Sequence, residues 1–138
     1  MKKSIGFSLL LASTLAHSDQ ISSFPDLVNA VNQGKKITFV LDVKQCTAPV
    51  MPNDITVSLS PDAIMLINKT RITASDRHFT LDDPRAPGTP VISYSKYNLY
   101  SDGTATIKMT LMQASDYAVI NTYQVNCALN KGFNVFSM

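Results

Sequence analysis

The side chains able to do chemistry are few. The sequence holds two histidines and ten acidic residues, all of them Asp. His17 lies at the boundary where an N-terminal leader is expected to be cleaved, so a Ser-His-Asp centre would have to be built on His78, with Asp76 and Asp82 nearest in sequence. No serine stands in a G-x-S-x-G elbow. If Phe79 and Leu81 face a core, alternation turns His78 and Thr80 away from it, whereas general acid–base catalysis needs a group oriented by a second one. No catalytic residue is therefore assigned. Asp82-Asp83 precedes a proline loop, where Asp makes local turn hydrogen bonds. No carboxylates converge at metal-ligand spacing, and there is no HExxH, EF-hand loop or phosphate-cradling glycine loop. Cys46 and Cys127 are too few for a four-thiolate zinc site and form no CxxC pair. The sequence thus offers no metal site and no cofactor site.

What remains is recognition surface. Asp76, Arg77 and His78 form a charged stretch, and Tyr97 is expected on the polar face of a hairpin beside Lys108, where an exposed tyrosine offers a binding contact. The loop Asp83 to Pro90, with three prolines in eight residues, adds a second exposed segment.

Positioning these groups falls to a short chain with an address. Met1-Lys2-Lys3, the apolar stretch from Ile5 to Leu15, and Ala16-His17-Ser18 read as the charged, apolar and small-residue regions of a signal peptide, cleaved after Ala16 or Ser18. Eleven residues rise only about 16 Å as a helix, half a bilayer core, so the segment is no membrane span, and no later run reaches spanning length. Taking Lys2 and Lys3 from the twelve basic residues leaves ten, equal to the ten Asp. The near-neutral mature domain is not a nucleic-acid binder. In an oxidising compartment, Cys46 and Cys127 pair by default, and closing so long a loop gives about 4.5 kcal/mol in the chain-entropy model.

The full chain of 138 residues is 45% hydrophobic and 16% charged, enough for one modest core. The absence of Glu, a good helix former, argues against a helical bundle. One helix is signalled: Ser23 caps it, Pro25 and Asp26 suit its first turn, Gly34 ends it, and Phe24, Leu27, Val28 and Val31 make its stripe. Strands follow. Lys36 to Lys44 and Asp54 to Ser60 alternate, and Ala63 to Ile67 is an unbroken apolar run suited to a central strand or one covered on both sides, or to lining the cavity of a ligand-carrying barrel. Arg71 to Ala74 and His78 to Leu81 read as two short strands, or as one with a bulge near Ser75-Asp76. Asp102-Gly103 suits a two-residue hairpin turn that sets Tyr100 opposite Ala105, Lys96 opposite Met109 and Tyr94 opposite Leu111. Tyr117 to Cys127 and Phe133 to Phe136 complete the set. The expected fold is α+β, mainly β: one N-terminal helix packed on a curled antiparallel sheet or small barrel of about seven strands.

Phe24-Pro25-Asp26-Leu27, Gly34-Lys35-Lys36, Val40-Leu41-Asp42 and Gln45-Cys46-Thr47 resemble the N-terminal half of the VirK proteins. Ser75-Asp76-Arg77-His78-Phe79-Thr80, the Tyr97 to Thr106 hairpin with Asp102-Gly103-Thr104, and Asn126-Cys127-Ala128-Leu129 with Lys131-Gly132 extend the resemblance in matching order over nearly the whole mature chain. It implies a small exported protein of a Gram-negative bacterium associated with virulence. It brings no established reaction and transfers no catalytic residue. The expected organisation is a signal peptide over 1–18 and a single VirK-like domain over 19–138. The expected function is that of a periplasmic or secreted binding protein without cofactor. Its partner is expected to be a protein or a host or envelope ligand, with no nucleic acid and no integral membrane segment. The rivals are a small hydrolase centred on His78 and a barrel carrying an apolar ligand.

Overall fold

The computed structural model describes residues 18–47 and 54–138, so the expected leader, Ser18 apart, lies outside the described residues. A three-residue strand β1 (Asp19–Ile21) leads into α1 (Phe24–Asn32). The Ser23 hydroxyl accepts a hydrogen bond from the Asp26 amide, and Gly34 takes the left-handed φ of +67° that ends the helix. Phe24, Leu27 and Ala30 are the buried stripe.

The strands are β2 (Ile37–Asp42), β3 (Thr56–Leu59), β4 (Ala63–Ile67), β5 (Arg71–Thr80), β6 (Val91–Tyr100), β7 (Thr104–Gln113), β8 (Val119–Leu129) and β9 (Gly132–Ser137). With β1 they form one nine-stranded sheet in the order β3-β2-β9-β8-β7-β6-β5-β4, β1 pairing β9. The edge strands β3 and β4 are linked by only Ser60, Pro61 and Asp62, so the sheet curls into a half-barrel whose edges approach without pairing. The mainly-β expectation holds. The helix packs inside the curl against β1 and β4, and its apolar stripe joins a core with Phe39, Leu41, Ile107, Val125 and Val135.

Cys46 and Cys127 form the expected disulfide. It bridges Cys46, just past the 3-10 turn Val43–Gln45 that follows β2, to β8 across the start of β9, where Gly132 has φ +83° and a Cβ would lie 2.5 Å from the Cys46 sulfur. Glycine is required there both by conformation and by space.

Three sequence expectations are corrected. The Ala63 to Ile67 run is an edge strand with Met65 exposed, because the sheet curls so that only Ile64 and Leu66 on its inner face reach the core. β5 is continuous, in unbroken register with β6 from Arg71 to Thr80. The hairpin loop has three residues instead of two: the Gly103 amide donates to the Tyr100 carbonyl, Gly103 has φ +84°, and Asp102 accepts from the Thr104 amide and hydroxyl. Leu99 then faces Ala105, and Ser95 faces Met109. That one-residue slip reverses every side chain of β6.

Candidate functional site

The reversal brings Ser93, Ser95, Tyr97 and Leu99 to the concave face and sends Tyr94, Lys96 and Tyr100 outward. Tyr97, expected on an exposed polar face, is 3% exposed and packs with Phe39 and Phe133, ring centroids 5.4 and 6.3 Å away. The same logic inverts β5. Phe79 and Leu81, expected in the core, are 59% and 58% exposed, and His78, expected to face away, lines the concavity with half of its side chain still exposed. His78 lies opposite Ser93 and Asp76 opposite Ser95 in register. The four residues expected to share one surface are therefore divided: Asp76, His78 and Tyr97 are concave, while Arg77 is convex with its guanidinium 5.7 Å from the Tyr94 ring centre.

A cavity of about 200 Å³ opens where α1 does not fill the half-barrel. Leu41, Val43, Ile55, Val57, Leu59 and Met109 make an apolar wall. Facing it are His78, Ser93, Ser95, Tyr97, Asp82 and the pair Asp83–Arg85. The His78 Nδ1 is 3.6 Å from the Asp76 carboxylate, which is 18% exposed. Burial pushes the Tyr97 phenol up to about 12; a hydrogen bond with Ser95 opposes the rise and the Asp76 charge adds to it. Tyr97 is thus a neutral hydroxyl throughout the physiological range.

The loop after β5 folds over the cavity's rim. Arg85 donates from Nε and Nη2 to the two Asp83 carboxylate oxygens at 2.8 and 2.6 Å, and its amide donates to the same carboxylate at 2.9 Å. The guanidinium lies 4.8 Å from the Tyr123 ring centre, on the inner face of β8. Those bonds from Arg85 hold the Asp83 carboxyl below its usual range against the opposing effect of burial. Ser93, Ser95 and the Asp83–Arg85 pair escape sequence reading. The two-residue-turn register puts Ser93 and Ser95 on the same outer polar face as Tyr97, and only the observed register turns them inward.

Among the described residues there is no group of three or more His, Cys, Asp or Glu able to hold a metal ion, and no helix long and apolar enough to cross a membrane. A convex row, Phe79–Ile92–Met112–Val119, runs across four strands with its two ends exposed. It offers apolar area but no convergent polar groups. The cavity offers both, which is the composition expected of a binding site.

Residues 20–117 match the VirK protein family. The chain belongs to that family. A crystal structure of a VirK family protein from Legionella pneumophila is similar, with a TM-score of 0.81 and 50% identity, covering 85% of this chain and 98% of that one. An uncharacterized protein of Sinorhizobium fredii is 28% identical over 130 residues, which is 91% of this chain and 88% of the relative. The VirK assignment thus rests on sequence and fold together, and neither relative's name assigns a reaction.

Proposed function

We propose that this VirK family protein is an exported, virulence-associated binding protein, periplasmic or secreted, that captures a partner in the half-barrel cavity without cofactor or turnover. The observation that carries the reading is a mostly apolar cavity with a few polar side chains, His78, Ser93, Ser95 and Tyr97, along one side. Export is supported by the leader-like sequence of residues 1–18 and by the Cys46–Cys127 disulfide. The volume, about 200 Å³, lies below the roughly 300–1,000 Å³ of drug-sized ligand sites. It suits one inserted side chain or a similar small group and argues against carriage of a long apolar ligand. The apolar run Ala63 to Ile67 does not line this cavity.

The test is an NMR titration of the oxidised mature protein with n-butanol, n-pentylamine and butyramide. Saturable shifts centred on Val57, Tyr97 and Met109, lost in a cavity-filling Val57→Trp variant, are expected. Shifts confined to the convex row, or none with any probe, would refute the reading.

A second reading, a hydrolase, is favoured by one specific arrangement: Asp76 beside His78, with Ser93 in register across the strand pair. Ser93 is almost fully buried, which disfavours it as a nucleophile. A broad esterase and peptidase screen separates the two. Turnover that vanishes in a folded His78→Ala variant would establish the enzyme, and its absence is expected.

A further inference from the structure

Strand β4 covers β5 only from Arg71 to Ser75, whereas β6 follows β5 as far as Thr80. From Asp76 to Thr80 the other edge of β5 has no strand partner among the described residues. An unpaired edge is a template for an added strand. This one borders the cavity, because His78 and Thr80 line it and β3 supplies part of the opposite wall. A segment added to that edge would direct alternate side chains into the concavity.

Charge selects the side chain. The ionisable groups around the cavity are His78 and Asp76 on β5, Tyr97 on β6, and Asp82, Asp83 and Arg85 in the loop. β2, β3 and β7 contribute only apolar residues. Arg85 gives Nε and Nη2 to Asp83 and its face to Tyr123, leaving its buried Nη1 without a partner; against Arg85 and His78 stand three carboxylates, Asp76, Asp82 and Asp83, so the space keeps a net negative field. A cation is favoured and an anion repelled. The apolar wall asks for an alkyl stem below the charge, which is the form of a lysine side chain. Arginine fits less well, since its plane prefers an aromatic face and the Tyr123 ring is already covered.

We propose that the cavity receives a lysine side chain from an extended segment of a partner protein that adds to the free edge of β5 at Asp76–Thr80. This rests on the cavity being a binding site and names what it binds.

The experiment is calorimetric titration of the oxidised mature protein with an acetylated, amidated heptapeptide, Thr-Val-Thr-Lys-Thr-Val-Thr. Its comparators carry Glu or norleucine at the centre, or N-methyl groups on alternate backbone amides, and n-pentylamine is run alone. The lysine peptide should bind at least tenfold more tightly than the Glu peptide and than n-pentylamine. N-methylation on the pairing edge should abolish binding, and the exposed-site variant Asp82→Asn should weaken it about threefold or more. Equal affinity for Lys and Glu peptides overturns the charge argument. Equal affinity for n-pentylamine and peptide, or indifference to N-methylation of either set of amides, overturns strand addition. Peptides that fail to bind while the small probes still shift Val57 and Met109 refute this proposal and leave the cavity reading intact; silence of both removes the cavity reading as well.

Discussion

Replacing Arg85 by alanine should cost the folded state about 3 kcal/mol at neutral pH, the lower end of the ~3–5 kcal/mol lost when one partner of a buried ion pair is removed. The Asp83 side chain is 5% exposed and that of Arg85 13%, and the two share the 2.8 and 2.6 Å hydrogen bonds. Without Arg85 a desolvated carboxylate is left behind, and the contact with Tyr123, about 0.5–2 kcal/mol for such a geometry, goes too. The lower end applies because both residues belong to one loop, which can lift and let water reach Asp83. Removing both partners in Asp83→Ala/Arg85→Ala should therefore cost less than Arg85→Ala alone. Arg85 holds the Asp83 carboxyl below its ordinary value, so the stabilisation is complete above the unfolded-state value near ~3.9 and is lost as pH falls through the lower folded-state value. Urea unfolding followed by circular dichroism, with the disulfide intact, should show a wild-type-to-Arg85→Ala gap that is widest near neutral pH and narrows in acid, as first the stranded Asp83 of the variant and then the paired Asp83 of the wild type take up a proton. A single variant within about 0.5 kcal/mol of wild type, as for an ordinary surface change, would refute the reasoning. So would a gap that widens in acid.

Four further outcomes follow from the sequence and the structure. Protein purified from its native compartment should show no free thiol and a mass rise of about two daltons on reduction, and Cys46→Ser should lower stability by about 2–5 kcal/mol in urea. Gly132→Ala should destabilise by more than the ~1–2 kcal/mol of the left-handed backbone alone, because its Cβ meets the Cys46 sulfur. Gly103→Asn, at a similar φ with nothing within 4 Å, should cost under about 1 kcal/mol in the same assay. The intact mass of exported protein should correspond to a chain beginning at His17 or Asp19; a full-length cytosolic product would defeat the proposed localisation.

The helix was legible because its signals are local: Ser23, Pro25 and Gly34 act within a few residues of themselves. The β7 inner face was legible too, since Ala105, Ile107, Met109 and Leu111 alternate cleanly and all are buried. The β6 register was not. Asp102-Gly103 fits a two-residue turn, but Asp102 also caps the Thr104 amide while Gly103 takes the left-handed position of a three-residue loop. Choosing between those loops depends on which β6 face meets the core, a contact with residues such as Phe39 that lie far away in sequence. The disulfide was legible from there being only two cysteines; the need for Gly132 beside it was not, because only the tertiary fold brings β9 under the Cys46 sulfur.

The misread faces of β5 and β6 have one physical origin, and it bears on function. Phe79 opposes Ile92, and His78 opposes Ser93, so assigning either strand's apolar residues to the interior assigns the other's polar residues to solvent. In this half-barrel the pattern runs the other way at the cavity: Asp76, His78, Ser93 and Ser95 face inward while Phe79 faces out. Turning carboxylate, imidazole and hydroxyls into a concavity, and a phenylalanine into solvent, forgoes burial worth about 1.5–3 kcal/mol for the phenylalanine alone. Real sequences break the apolar-inward rule chiefly where a site requires it. The same two strands obey that rule at the end nearer the helix, where Ile72, Ala74 and Leu99 are buried. The violation is confined to the half of β5 that β4 leaves uncovered, which supports the proposal that the open edge, the polar side chains and the cavity form one binding site.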